Sequence, residues 1–452
     1  MEQHKENKMG VMPVNKLLIS MSLPMMISML VQAMYNIVDS IFVAQLSENA
    51  LTAVSLAFPM QSLMIAAATG TGVGVNALLS RSLGQKDFKT VNKTAVNGLF
   101  LWACWYLVFL IVGLTLVRPF YILQSSPAEI TELGVEYLST VLICSIGIFA
   151  QMAFERILQA TGRTVCTMIT QMTGAVINII MDPILIFGLF GFPALGIKGA
   201  AIATVFGQIV AAVLALVMNI KLNHDVHISL KGFRPNGKII STILSIGIPS
   251  MLMQAVGSVM TVGMNKILIS FSSTAVAVFG VYFKLNSFIF MPIFGLNNGM
   301  VPIVAYNYGA GKRDRLVKTI KYSVIYAVVL MFIGIVIFET IPDKLLLLFN
   351  ASEHMLEIGV PALRIICLSF SFAGVCIVLG SAFQALGNGI FSMIVSFTRQ
   401  IVILLPSAYL LSLTGNVNNV WWSFNIAEVA SLTATIFFFI HMYKKVICKI
   451  GE

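Results

Sequence analysis

The sequence predicts an all-α integral membrane protein, with twelve transmembrane helices in two six-helix pseudo-symmetric bundles. Three observations predict it. Of 452 residues, 58% are hydrophobic and 10% charged, where soluble domains carry about a quarter charged residues. Apolar runs of about twenty residues recur along the whole chain, the length a helix needs to cross ~30 Å of hydrocarbon; a barrel would show alternating ten-residue segments instead. The polar breaks between the runs alternate between basic and nearly base-free.

Taken in order, the opening residues MEQHKENKMGVMPVNK lack a signal-peptide cleavage pattern and read as a short polar cytoplasmic tail. Lys5, Lys8 and Lys16 lie in it, and Arg81, Lys86, Lys89 and Lys93 follow the second span. Arg163 marks a short turn after the fourth. Lys221, Lys231, Arg234 and Lys238 cluster mid-chain, Lys312, Arg313, Arg315, Lys318 and Lys321 form the next group, and Lys444, Lys445 and Lys449 close the chain. The intervening loops hold only Arg118, Lys198 and Lys344. Basic residues concentrate on the cytoplasmic side of membrane proteins, so the pattern implies twelve spans with both termini cytoplasmic. It also explains the net charge of +10 without nucleic acid.

The polar stretch KLNHDVHISLKGFRPNGK divides the chain into an N-terminal lobe (1–220), a cytoplasmic linker (221–238) and a C-terminal lobe (239–452). SMSLPMMISMLVQ is echoed by SIGIPSMLMQ, GTGVGVNALLSRSLGQKD by GLNNGMVPIVAYNYGAGKRD, and ILQATGR by AFQALGN. Pro24 and Pro249, Ala50 and Ala275, and Gln159 and Gln384 are all the same distance apart. With an even number of spans each, the halves enter the membrane from the same side, the parallel kind of transporter repeat.

Two lone acids break the apolar pattern. Asp39 sits in QAMYNIVDSIFVAQL and Asp182 in GAVINIIMDPILIFGLFG. A carboxylate at the centre of a membrane helix costs at least ~2.5–3.5 kcal/mol, so such a residue is a functional candidate by default; the bland alternative is a structural hydrogen bond between helices. The second half does not repeat the acids: aligned through Gln159 and Gln384, Asp182 falls opposite Ser407, Asn178 opposite Ile403, and Asp39 near Met264 and Asn265. That asymmetry favours a dedicated cation site in the first half.

Asn178 and Asp182 share a helix face, as do Tyr35 and Asp39, with Gln32 and Asn36 on nearby faces. Pro183 removes a backbone donor and is expected to kink its helix. Two close carboxylates in low dielectric bind a proton or a cation, and hard oxygen ligands suit Na⁺ or H⁺. Further candidates for substrate contact or coupling are Gln254, Asn265, Glu155 beside Arg156, and Glu428. Lys266, Lys284 and Arg399 read as structural or cargo-facing. The six cysteines show no CxxC or metal spacing, and no Walker A loop or HExxH is present. No set of residues suggests an enzyme or a cofactor.

PMMISMLVQAMYNIVDSIFVAQL, ALTAVSLAFP, RSLGQKD, ILQATGR and NIIMDPILIFG with GIKGAAIATVFGQ together resemble the multidrug and toxic compound extrusion (MATE) family, in its bacterial, MepA-like branch. The resemblance covers essentially the whole chain. It implies the MATE/MOP flippase fold, two lobes forming a V-shaped cavity, and export of amphipathic, often cationic compounds in exchange for Na⁺ or H⁺. It places the cation site at Asp39, Asn178, Asp182 and Thr204. The acid that some relatives carry on the first helix of the second lobe is missing here, where Gln254, Asn265 and Lys266 stand. The expectation is therefore a multi-pass antiporter of the bacterial cell membrane, functional as a monomer. It would handle small amphipathic molecules in the lipid bilayer and bind no metal beyond Na⁺. The alternative is a flippase for lipid-linked precursors.

Overall fold

A computed structural model describes residues 6–124, 126–229 and 231–450; His4 and Lys5 of the opening tail lie outside them. Helices dominate. Their order is α1 (Val14–Leu46), α2 (Glu48–Gly84), α3 (Phe88–Thr115), α4 (Ala128–Ile143), α5 (Ile146–Ala160), α6 (Thr164–Phe187) and α7 (Gly196–Leu222). The second series is α8 (Gly237–Ile269), α9 (Ser273–Gly309), α10 (Arg313–Thr340), α11 (Glu353–Cys367), α12 (Phe370–Ala385), α13 (Gly389–Ser412) and α14 (Val417–Ile447). Ten of these are long and apolar enough to cross a membrane alone. Counted as one span each, the pairs α4–α5 and α11–α12, bent by 42° and 49°, bring the candidate spans among the described residues to twelve.

The repeat inferred from sequence is a repeat of structure. Helices α2, α3, α4 and α6 begin at residues 48, 88, 128 and 164, and their counterparts begin 225 later, at 273, 313, 353 and 389. The caps repeat too: Ser47 Oγ accepts the Ala50 amide at 3.0 Å, and Ser272 Oγ accepts that of Ala275 at 3.1 Å. Each cap satisfies one of the donors a helix start leaves free.

The chain packs as two compact units, Ile27–Ile248, and Met1–Met26 together with Pro249–Glu452. The divisions fall inside α1 and α8, beside Pro24 and Pro249, rather than in the polar stretch 221–238. Close packing explains why. Within one unit, a side chain on Gly299 of α9 would strike Ser22 of α1; within the other, one on Gly74 of α2 would strike the Ile243 backbone of α8. The N-terminal third of α1 and of α8 is thus held by a neighbour too close for any side chain but glycine's hydrogen. The polar stretch itself lies on α3: the His227 and Asn236 amides donate to Asn92 and Asn97, at 2.8 and 2.9 Å, and Phe233 packs on Phe100.

The described part of the opening tail is held against α9 and α10. Asn7 caps a short helix, Lys8–Val11. Arg315 donates to the Met9 and Met12 carbonyls at 3.1 and 2.6 Å, Lys312 to the Gly10 carbonyl at 2.9 Å, and Asn307 to the Met9 carbonyl at 3.1 Å. Part of the basic group at 312–321 therefore serves to cap a helix C-terminus, where cations are favoured.

Lipid is expected to cover the outside. On α3, Leu107, Ile111 and Leu114 are exposed at helical spacing while Trp102, Phe109 and Gly113 are buried. An exposed apolar face of this kind marks a membrane or protein contact. Between helices the driving force is close packing, and small residues permit it. On α7, Gly199, Ala203, Gly207 and Ala211 recur every four residues, all buried. A Cβ on Gly207 would lie 2.7 Å from the Gly174 carbonyl oxygen of α6, and one on Gly199 would lie 2.5 Å from that of Leu185. Helix α6 ends at Gly188, whose φ of +73° suits only glycine without strain. Helix α13, the counterpart of α6, contains a π-helical segment, Thr398–Leu404, just before Pro406. Proline clashes with the carbonyl four residues back, here Val402, and widening the turn relieves it.

Gly207→Val is expected to force α6 and α7 apart and destabilise the protein by about 1–3 kcal/mol. Thermal unfolding in detergent measures it; an unchanged melting temperature would contradict this packing.

Candidate functional site

Asp39 from α1, Asn178 and Asp182 from α6, and Thr204 from α7 form one site inside the Ile27–Ile248 unit. Asp182 is fully buried, Asn178 nearly so, and Asp39 and Thr204 half-buried. The seam of small residues on α7 brings Thr204 against α6. There the Asn178 amide donates to Thr204 Oγ1 at 3.3 Å and to Asp182 Oδ1 at 3.4 Å. The Asp39 and Asp182 carboxyls come within hydrogen-bonding reach of each other.

Three oxygens in this cluster, Asp39 Oδ1, Asn178 Oδ1 and Asp182 Oδ2, are buried and accept no hydrogen bond. A buried acceptor without a donor costs about 1–3 kcal/mol, more when charged. Two carboxylates cannot supply one another, because neither donates. One small cation among them would satisfy all three, one proton would let one carboxyl donate to the other, and two carboxylates, an amide oxygen and a hydroxyl form a hard donor set. Among the described residues no three His, Cys, Asp or Glu side chains gather in a way that could hold a metal ion. The cluster has the chemistry for H⁺ or Na⁺ and for no softer ion.

Tyr35 is half-buried and close enough to interact electrostatically with both acids. Sequence reasoning missed Tyr137 of α4, which interacts with Asp39 and accepts a hydrogen bond from Gln61 at 3.2 Å. No spacing links Tyr137 or Gln61 to Asp39; only packing of α1, α2 and α4 does. Gln32 is half-buried. Asn36 is exposed, and its carbonyl accepts the Ser40 hydroxyl at 2.8 Å.

Glu155 is placed apart, on α5. It is buried and accepts from Gln151, Thr170 and Gln171, all neutral, at 2.9–3.0 Å. Neighbouring Arg156 acts on Glu155 electrostatically and also donates to Gln159 Oε1 at 2.9 Å. A buried carboxylate needs donors close by, and Gln151 on its own helix and Gln171 on α6 supply them.

In the other unit, Gln254 is exposed and Asn265 half-buried; Lys266 and Lys284 are exposed, Lys284 lying 5.8 Å from the centre of the Phe349 ring. Glu428 of α14 and Arg399 of α13, which the sequence offered separately, form an ion pair of 2.7 Å, with Glu428 Oε2 buried and unpartnered. These helices correspond to α7 and α6. One repeat buries Asp182 there, facing Asp39 of α1; the other buries an acid with its own fixed cation.

Comparison with known proteins follows the same duplication. The MatE family model matches residues 24–184 and again 249–410. The chain is 27% identical to the multidrug export protein MepA of Staphylococcus aureus (strain MRSA252), over 92% of this chain and 91% of that protein. It is 26% identical to the MepA of Staphylococcus haemolyticus (strain JCSC1435), over 93% and 92%. Among solved structures it superimposes on an outward-facing multidrug resistance MATE family transporter of the MOP superfamily with a TM-score of 0.91, at 26% identity over 99% of both chains. A MATE structure in the bent conformation gives 0.89, at 26% identity over 96% and 97%.

Removing the cation of the Arg399–Glu428 pair leaves a buried acid alone, so Arg399→Met is expected to destabilise the protein by about 3 kcal/mol. Adding Glu428→Gln is expected to restore most of that. Melting of both variants against the parent measures the pair; equal stability of Arg399→Met and the parent would refute it.

Proposed function

We infer the function from one premise: this chain belongs to the MatE family. We propose that it exports amphipathic, often cationic, drugs and toxic organic compounds in exchange for Na⁺ or H⁺, by alternating access. The observation that carries the coupling is the set of three unpartnered buried oxygens at Asp39, Asn178 and Asp182. Supporting export, the relatives matched over more than nine-tenths of the chain are multidrug exporters. That favours drug export over the flippase of lipid-linked precursors, whose pyrophosphate cargo calls for basic rather than acidic residues. The same likeness supports a bacterial cell membrane location and a transporter rather than an enzyme. The alternation of basic loops supports cytoplasmic termini, and we propose that the monomer is the working unit.

Exchange requires that cation and drug prefer different conformations, since a ligand of equal affinity for two states shifts nothing. Filling the Asp39–Asp182 site removes the repulsion between two carboxylates and lets α1 pack more closely on α6 and α7. Helix α1 has one built-in weak point, Pro24, which leaves the Ser20 carbonyl without its usual amide partner. A change of packing at Asp39 that bends α1 there or near Asn36 would alter where drug is held. A tenfold cation gradient supplies about 1.4 kcal/mol, and each charge crossing 100 mV about 2.3 kcal/mol. Together they suffice for modest uphill export.

Asp39→Asn and Asp182→Asn are each expected to lower drug-driven cation exchange in proteoliposomes by about 5–150-fold, the range of ordinary coupling energies. Folded variants that both exchange at the parent rate would overturn the assignment. Imposing sodium and proton gradients separately on the parent identifies the ion.

A further inference from the structure

A second buried acid lies on the helix pair that neighbours the cation site. Glu155 is 1% exposed. Its Oε1 accepts from Gln151 Nε2 at 3.0 Å and Thr170 Oγ1 at 2.9 Å, and its Oε2 from Gln171 Nε2 at 2.9 Å. The Gln171 amide oxygen is itself buried and accepts nothing. Thr170 and Gln171 stand on α6, the helix that carries Asn178 and Asp182. Gln171, Asn178 and Asp182 are seven and four residues apart, so they share one face, with about 10 Å of rise between the first two.

The fold does not need this acid. The counterpart of Glu155, 225 residues on, is Gly380, and the backbone bond there is kept: Thr167 Oγ1 donates to the Glu155 carbonyl at 3.4 Å, Ser392 Oγ to that of Gly380 at 2.6 Å. A Cβ at Gly380 would have 3.9 Å of clearance. Glu155 is therefore an addition to the same repeat that carries Asp39 and Asp182.

We propose that Glu155 is a second proton-binding carboxyl of this unit, connected to the Asp39–Asp182 site along one face of α6. The proposal rests on the antiport reading above. Protonation forms one O–H bond at Glu155 Oε2, with the proton taken from water on the side to which the site opens, and returned to water on release. The Gln171 amide then turns over, so that its idle oxygen accepts from Oε2–H in place of the former N–H donation. A sodium ion would need all three donors to turn away, whereas a proton needs only this one amide to rotate. Among the described residues the groups packed near Glu155 are otherwise neutral: Thr167, Thr170 and Gln171 from α6, Asn219 of α7 on the Phe154 carbonyl, Ser80 of α2 on the Ala160 carbonyl, and Phe109 of α3 against Phe149. Arg156, next in sequence, is the charge that acts on it. The Arg163 turn that follows α5 puts Glu155 toward the cytoplasmic end in the proposed orientation.

The test compares the parent, Glu155→Gln and Asp182→Asn, full-length in proteoliposomes, with ethidium as the probe. Three quantities are read: ethidium affinity, efflux against pH, and the infrared carbonyl stretch of protonated carboxyl groups. Glu155→Gln is expected to keep parental ethidium affinity, to lose the acidic limb of the efflux profile, and to lose one infrared band that titrates in the parent. An unchanged pH profile with every band retained overturns the proposal, as does parental efflux driven by sodium with no dependence on pH. If Glu155→Gln does not fold, Gln171→Leu removes the idle acceptor but keeps the acid. A shifted pH midpoint then supports the proposal and an unchanged one overturns it. Parental exchange by Asp182→Asn would sink the dicarboxylate site alone, and parental behaviour of Glu155→Gln beside a dead Asp182→Asn would sink Glu155 alone.

Discussion

Inside a bilayer every polar atom must find its partner within the chain or in a bound ligand, because no water supplies one. Most of this protein obeys by folding its backbone into helices and turning serine and threonine hydroxyls onto carbonyls of the preceding turn. Asp39 Oδ1, Asn178 Oδ1 and Asp182 Oδ2 do not. They are held together by α1, α6 and α7, and what they lack is a donor. The seam of Gly199, Ala203, Gly207 and Ala211 exists in the same place because Thr204 reaches Asn178 only if α7 lies nearly in backbone contact with α6. Packing and chemistry are one arrangement there.

The duplication shows how the same constraint is met in two ways. Helix starts, serine caps and the bent pairs recur at an interval of 225 residues. In one unit, helix α6 keeps an acid and an amide, and α1 a second acid, with unpartnered oxygens. In the other, α13 and α14 carry Arg399 against Glu428 at 2.7 Å. A guanidinium tethered to the chain cannot be exchanged for an ion from solution, so that pair reads as a fixed strut. On the proposed reading, ion binding belongs to one repeat, and the scaffold is common to both.

The acids are legible in the sequence because charge is so rare in these runs that Asp39 and Asp182 stand out individually. Asn178 follows from its four-residue spacing to Asp182. Thr204 comes only from family resemblance, as nothing in GAAIATV marks one hydroxyl among small residues. Tyr137 and Gln61 are invisible there, since their neighbourhood with Asp39 depends on three helices far apart in sequence. Glu155 stands beside Arg156 in the chain, but nothing in the sequence shows that the fold also surrounds it with Gln151, Thr170 and Gln171.

Sequence by itself determined the helical class, the number of spans and the repeat, because apolar length, loop charge and internal echoes are local properties that a bilayer converts directly into topology. It did not determine the division of the chain. The polar stretch 221–238 has the composition of a seam, yet the compact units part inside α1 and α8, beside Pro24 and Pro249. That outcome depends on which glycine lies under which backbone, Gly299 under Ser22 and Gly74 under Ile243. Tertiary structure alone also decided which acids stay unsatisfied, which are hydrogen-bonded and which are paired with a cation. Burial and hydrogen bonding are set by neighbours across helices, and no order of residues along one helix records them.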